Sequence, residues 1–356
     1  MKKYMVSGLI AALFFLGCVA APPPLKPLVY PRPPEEPRIA YVTSYGGVAD
    51  FRESSIFDSI FGVPSGNILN KPYGVSAHKG DIYVADTAGA AVIIVEPQKK
   101  QFRFIASYNG ETSLVSPFGV AVSDDGTIFV SDIKLKEVFV FNDKGEGLRI
   151  IGKKDDFNVI GGIAVNSQLG RLYIPDSYNS CVYVYSVQGE RLFSFGKPGS
   201  GNGEFRMPSN VAVDRRTGNV YVTDTQNFRV QVFDKDGKFL RKFGELGDYP
   251  GAFSRPKGVG VDSEGHVYVA DAAFDNFQIF DEEGNLLLFV GGSGNGRGQF
   301  SLPAGLYVDE NDMIYVADSM NRRVNVFQYL SEKWKKDHPE EYMKYLQKPE
   351  KKEQEN

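Results

Sequence analysis

The string IYVAD at Ile82–Asp86 comes back five times: as IFVSD ending at Asp132, LYIPD at Asp176, VYVTD at Asp224, VYVAD at Asp271 and IYVAD at Asp318. The closing aspartates lie 46, 44, 48, 47 and 47 residues apart. A steady period of this length means that one small structural unit recurs, each copy burying its apolar face against the next.

Around each string stand further short runs, clearest in the fourth copy: NVAVD from Asn210, VYVTD from Val220, RVQVFD from Arg229 and KFLRKFG from Lys238. Apolar and polar residues alternate with period two, so these runs are strands. The links SDDGT, NDKGE, DKDGK, DSEGH and DEEGN place Asp or Asn before a glycine that accepts positive φ, as tight hairpins require. Four antiparallel strands per copy predict an all-β, six-bladed β-propeller, a ring that leaves only short protected edges. The sixth copy stops at RVNVFQ without an outer strand, while RIAYVTSY (residues 38–45) stands alone ahead of the first copy. That orphan strand is expected to complete the last blade and close the ring.

Pro208–Asp214, Val220–Asp224, Asn227–Phe233 and again Asn321–Phe327 resemble the repeat of the NHL family, over residues 38–328 as a whole. The resemblance implies a six-bladed propeller. It does not name an activity, because one fold hosts many functions.

At the N-terminus, Lys2 and Lys3 precede an apolar run from Val6 to Leu16, too short to span a bilayer and shaped like a secretory signal. Phe15-Leu16-Gly17-Cys18 resembles the bacterial lipobox, with Phe15 where Leu is usual. Residues 1–17 are therefore expected to be removed and Cys18 to carry lipid, holding an exported protein to the cell envelope without a spanning helix. Ordinary cleavage near Ala20-Ala21 is the competing reading. Val19, rather than Asp, after the cysteine favours the outer membrane in a Gram-negative cell. The segment 18–37 follows as lipid attachment and tether. Its part from Pro22 to Pro37 holds eight prolines in sixteen residues, expected to run as polyproline II. At about 3.1 Å per residue such a tether would hold the body roughly 50 Å from the bilayer.

Residues 329–356 turn charged, with Leu330, Trp334, Tyr342, Tyr345 and Leu346 near helical spacing and Pro339-Glu340-Glu341 resembling a helix start. One or two short helices and a charged end are expected, either packed under the propeller or presenting Trp334 to a partner.

The links after the repeated aspartates open on the same face as the connections between blades, and loops on a rigid scaffold are where contacts collect. Asp86, Asp132, Asp176, Asp224, Asp271 and Asp318 read as turn formers spread around a perimeter, unlike a metal site. Asp224-Asn227-Arg229 and Asp318-Asn321-Arg323 match the family's D-x-x-N-x-R turn, which implies structural roles. Lys134, Lys136, Tyr178, Phe228, Phe274, Met320 and Arg322 remain as partner-binding candidates, since exposed aromatics and Met beside Arg compose binding surfaces. Packing against a neighbouring blade is the alternative for each. Tyr73, Phe118, Asn210 and Lys257, near the starts of the innermost strands, are candidates for the channel mouth or its plug. The glycine-rich links from Gly196, Gly244 and Gly291 are followed by strands, not the helix a phosphate cradle needs. They read as structural loops, with Phe205, Phe253 and Phe300 tucked between blades.

Proteins similar to this one include a lyase with histidine-held zinc and lactonases with a divalent metal at the channel. Here only His78, His266 and His338 exist, too scattered for such a zinc site. Cys181, left alone once Cys18 takes the lipid, cannot form an intrachain disulfide. No G-x-S-x-G elbow is present, and Cys181 falls on a strand. No catalytic residue, metal site or cofactor is assigned. The net charge of -4 and export argue against the RNA binding that some NHL domains perform. The expected function is a monomeric, non-catalytic scaffold binding a protein, peptide or glycan. A metal-dependent lyase or lactonase-like hydrolase is the alternative. A further one, resting on resemblance to lipoproteins that accompany envelope cytochromes, is an assembly or docking partner.

Overall fold

In the fourth blade the strands run Pro208–Val213, Val220–Asp224, Arg229–Phe233 and Phe239–Phe243, each antiparallel to the next. Its second and third strands are buried along both faces, whereas the outermost alternates exposed and half-buried positions. Middle strands sandwiched between neighbouring sheets lose the alternation that an outer strand keeps. The same four-stranded order recurs around the ring, giving a six-bladed propeller in the computed structural model, which describes residues 26–51, 66–152 and 156–346.

The innermost strands are Pro72–His78, Pro117–Val122, Ala164–Asn166, Pro208–Val213, Pro256–Val261 and Pro303–Val308. They converge on a central channel, and a glycine near the head of most of them permits that approach. A Cβ on Gly74 would strike the Phe118 carbonyl of the next blade, and one on Gly305 would strike that of Tyr73. The cores lie between blades; one joins Tyr173, Val184, Phe205, Val222 and Phe233 across blades 3 and 4. Hydroxyls stitch the ring: Ser177 donates to the Pro208 carbonyl at 2.6 Å, Thr225 to Pro256 at 2.9 Å and Ser319 to Pro72 at 2.6 Å.

The ring closes through the N-terminal strand. Ile39–Tyr45 pairs antiparallel with Arg323–Tyr329 and serves as the outer strand of blade 6. A fifth strand, Val29–Tyr30, adds to its outer side through Val29–Ala40 and Tyr30–Ile39 pairs. This corrects the expectation of a tether reaching Pro37. The Tyr41 amide donates to the Leu28 carbonyl at 2.9 Å, and Val29 is buried with Ala40 and Leu330. Burial of Val29 and an edge that supplies hydrogen bonds outweigh the extended preference of the prolines, which occupy the reversal between the two strands. The body thus begins by Leu28, and the distance of 50 Å does not apply. Residues 1–17, Cys18 and the chain as far as residue 25 lie outside the described residues, as do the last ten.

The C-terminal helices Glu332–Asp337 and Pro339–Tyr345 lie against this edge. Ser331 Oγ caps the first by accepting from the Trp334 amide at 3.2 Å. Trp334, Tyr342 and Tyr345 pack on Val29, Ala40 and Leu330, and Lys335 and the Tyr342 hydroxyl both meet Glu36 at 2.7 Å.

Candidate functional site

The upper face carries the connections between blades and the links between second and third strands. Each repeated aspartate lies buried beneath it and gathers backbone amides. Asp86 accepts from Asn70, Lys71, Ala88 and Gly89, and Asp132 from Val115, Ser116, Lys134 and Leu135. Asp176 accepts from Asn158, Val159, Tyr178 and Asn179, and Asp271 from Ser254, Arg255 and Ala273. Asp224 accepts from the Arg206 amide and Asp318 from that of Ser301. These two also hold the Nε atoms of Arg229 and Arg323, at 2.9 and 3.0 Å. Arg229 spends its other nitrogens on the carbonyls of Ser200, Gly201 and Glu204, and Arg323 on those of Asn295, Gly296 and Gln299. The glycine-rich loops are therefore pinned from within, and Phe205, Phe253 and Phe300 are fully buried. None of these carboxylates faces solvent with spare capacity for a ligand.

The link candidates divide by exposure. Tyr178 is 73% exposed and Met320 58%, with Lys134 and Arg322 also exposed. Phe228 and Phe274 are half-buried, and Phe228 packs against the core between blades 4 and 5. Phe228 therefore belongs to packing as much as to the surface. A shallow groove of about 550 Å³ runs between blades 3 and 4, lined by Tyr178, Pro198, Arg206, Met207 and Gln226. Arg206 was missed in the sequence, where it merely precedes a strand.

At the channel mouth, the Tyr73 and Phe118 rings stand 3.9 Å apart between centroids with planes 32° from parallel. They lie at the upper end of a channel of about 110 Å³ whose lining begins at Gly74, Gly119 and Gly162 below them. Burial pushes the Tyr73 phenol pKa up, opposed by the Arg255 guanidinium reaching in from blade 5. Lys257 is half-buried beside Arg255, and burial, then that neighbouring cation, lowers its pKa. Asn210 is buried and turned toward the preceding blade, where a Cβ on Gly162 would overlap its Oδ1. It fills the seam between blades 3 and 4 and lines the channel there.

At the lower end of the channel Arg215 crosses from blade 4 to blade 6, bonding the Tyr307 hydroxyl and Glu310 Oε2, the latter at 3.1 Å. Burial pushes the Tyr307 phenol up to about 12. The sequence hides this strap because its partners lie 92 and 95 positions away.

A divalent metal at the upper mouth needs converging oxygen ligands. The strand heads instead present Tyr73, Phe118, Gly161, Ser209, Lys257 and Ala304, and a cation at one of them repels a second. The residues at this mouth do not fit a metal centre. Among the described residues no three His, Cys, Asp or Glu side chains converge elsewhere. His266 Nδ1 is held by Asp262 at 2.8 Å in a lower hairpin, and burial pushes the Cys181 thiol up, away from reactivity.

Residues 67–245 match the SMP-30/Gluconolactonase/LRE-like region, and the chain belongs to that family. Residues 216–277 also match a 6-bladed beta-propeller family. Among solved structures, a gluconolactonase from Xanthomonas campestris superposes with a TM-score of 0.56 at 13% identity, covering 73% of this chain and 86% of that one. An auxiliary nutrient binding protein from Bacteroides thetaiotaomicron gives 0.56 at 14%, covering 74% and 70%. A catalytically inactive virginiamycin B lyase from Staphylococcus aureus with quinupristin gives 0.54 at 12%, covering 75% and 82%. At these identities the likeness is one of fold.

Proposed function

We propose that this member of the SMP-30/gluconolactonase-like family is a non-catalytic binding module of the cell envelope that holds a protein, peptide or glycan on its upper face. The observation that carries the reading is the channel mouth, where the Tyr73–Phe118 pair and Lys257 stand in place of converging oxygen ligands. Tyr178, Arg206, Met320 and Arg322 extend an exposed aromatic, thioether and guanidinium surface around it. Its repeats are of NHL type, on the strength of the Asp224-Asn227-Arg229 and Asp318-Asn321-Arg323 turns. Cys18 carries the lipid, and Val19 after it directs the protein to the outer membrane if the cell is Gram-negative.

A second reading, lactonase-like hydrolysis, draws on the family match over residues 67–245. One experiment separates the two. The purified protein is screened against soluble glycans and peptides beside a variant carrying Tyr178→Ala, Arg206→Ala, Met320→Ala and Arg322→Ala, and both are assayed for lactone hydrolysis with and without divalent metals. The binding reading expects a ligand held by the parent and lost by the variant. A variant that binds as well as the parent, or hydrolysis that rises with added metal, contradicts it.

A further inference from the structure

The cations of the upper face are distributed unevenly. Its ion pairs among the described residues are Lys197–Glu204, Arg229–Asp224 and Arg323–Asp318. Lys71, Arg206, Arg255 and Lys257 crowd the heads of the innermost strands without such a partner among the described residues. The carboxylates nearest them, Asp86, Asp224 and Asp271, are buried and spend themselves on hydrogen bonds within the turns. A protein of net charge -4 thus shows a cationic inner rim.

Lys257 is the telling member. It takes up a half-buried position at a strand head where the other blades carry Tyr73, Phe118, Gly161, Ser209 and Ala304. A lysine drawn out of water beside another cation is unfavourable, and an anion at the same spot would offset that cost. Arg255 stands two residues earlier, exposed in the bend just before the strand Pro256–Val261, and its charge reaches Lys257. A flexible point charge beside a planar donor fork suits one carboxylate held between them. Across the mouth, the Tyr73 and Phe118 rings pack on each other at the heads of blades 1 and 2, and the Arg255 charge reaches Tyr73. Aromatic ring faces carry negative potential and favour C–H edges.

Resting on the upper-face reading, we infer that the channel mouth binds a carboxylate borne on a ring, the chemistry of an acidic sugar. Lys257 and Arg255 clamp the carboxylate, and Tyr73 with Phe118 supports the ring. The ligand sits on the mouth, because the channel proper begins below the aromatic pair.

The test is calorimetric titration of the protein with trigalacturonate and, separately, with neutral galactotriose, repeated on Lys257→Gln and Lys257→Arg. The acidic trimer should bind and the neutral one should not. Lys257→Gln should raise Kd by roughly tenfold or more, the loss of one charge-assisted hydrogen bond, while Lys257→Arg keeps most of the affinity. Thermal melts of both variants establish that they fold. Equal binding of the two trimers, or an unchanged Kd in Lys257→Gln, overturns the inference. Should the acidic trimer fail while another ligand is lost by the Tyr178, Arg206, Met320 and Arg322 variant, the anion site falls and the upper-face reading stands. If no ligand responds to either set of substitutions, both fall.

Discussion

Tyr73 at the head of blade 1 and Phe118 at the head of blade 2 stack across the gap between blades with ring centroids 3.9 Å apart. They stand at the upper end of the channel, a cavity of about 110 Å³ whose lining begins one residue below them at Gly74 and Gly119. Any ligand approaching from above meets this pair together with Lys257 and Arg255.

Lys257 is held partly out of water without a carboxylate of its own. Replacing it with Met, which keeps the aliphatic stem, should leave stability unchanged or raise it by up to about 1 kcal/mol, as expected where a site gives up stability for function. Urea denaturation of Lys257→Met measures the change, and a clear loss of stability would assign the lysine to structure.

Arg229 is buried, and its guanidinium joins Asp224 to three carbonyls of the Gly196 loop. Arg229→Met should cost about 3 kcal/mol, because the buried Asp224 carboxylate loses its only charged partner among the described residues and the carbonyls of Ser200, Gly201 and Glu204 each lose a donor. Arg323→Met should cost less, since Arg323 is more exposed. Equal losses in urea melts would mean that burial does not set the scale.

The fourth residue of each upper link takes a left-handed conformation: φ is 51° at Ala90, 61° at Lys136, 53° at Ser180, 55° at Phe228, 51° at Asp275 and 55° at Arg322. A side chain there costs roughly 1 kcal/mol relative to glycine, partly offset by the larger entropy of glycine in the unfolded chain. Lys136, exposed in its link, is the clean test. Lys136→Gly should hold or raise stability by a few tenths to about 1 kcal/mol, whereas Phe228→Gly should lower it by removing packed area.

His266 Nδ1–H donates to the Asp262 carboxylate at 2.8 Å, and that bond raises its pKa above 6.5, against burial and the charge of Arg38; Glu264 adds to the rise. A group whose pKa is raised on folding gives its full stabilisation below the unfolded value and loses it as pH climbs through the folded value. The melting temperature of the parent should therefore exceed that of His266→Gln by more at pH 6 than at pH 9. A difference that is flat with pH, or that grows at pH 9, would mean the imidazolium is not what Asp262 holds.

The blades and the closing strand were readable because six copies of one alternating string, with Asp-Gly turns at matched places, leave no other period for the chain to follow. An incomplete sixth copy and an orphan strand point to each other. Val29–Tyr30 escaped because eight prolines between Pro22 and Pro37 signal extended chain, and only the buried contact of Val29 with Ala40 and Leu330 reveals a strand. At the candidate site, Tyr73, Phe118 and Lys257 were legible from their places near the starts of the innermost strands. Arg206 and Arg215 did not, since a groove wall and a strap over the channel are set by other blades. Phe228 read as exposed because its link is polar, yet its left-handed backbone turns the ring onto the core.

The central claim is that the upper face binds. Its most direct test takes a ligand found by screening and compares its Kd for the upper-face variant, at Tyr178, Arg206, Met320 and Arg322, with that for a lower-face variant carrying Lys79→Ala, Lys144→Ala and Lys235→Ala. The account predicts a Kd raised about tenfold or more by the upper set alone; weakening by the lower set alone, or by both sets equally, would contradict it.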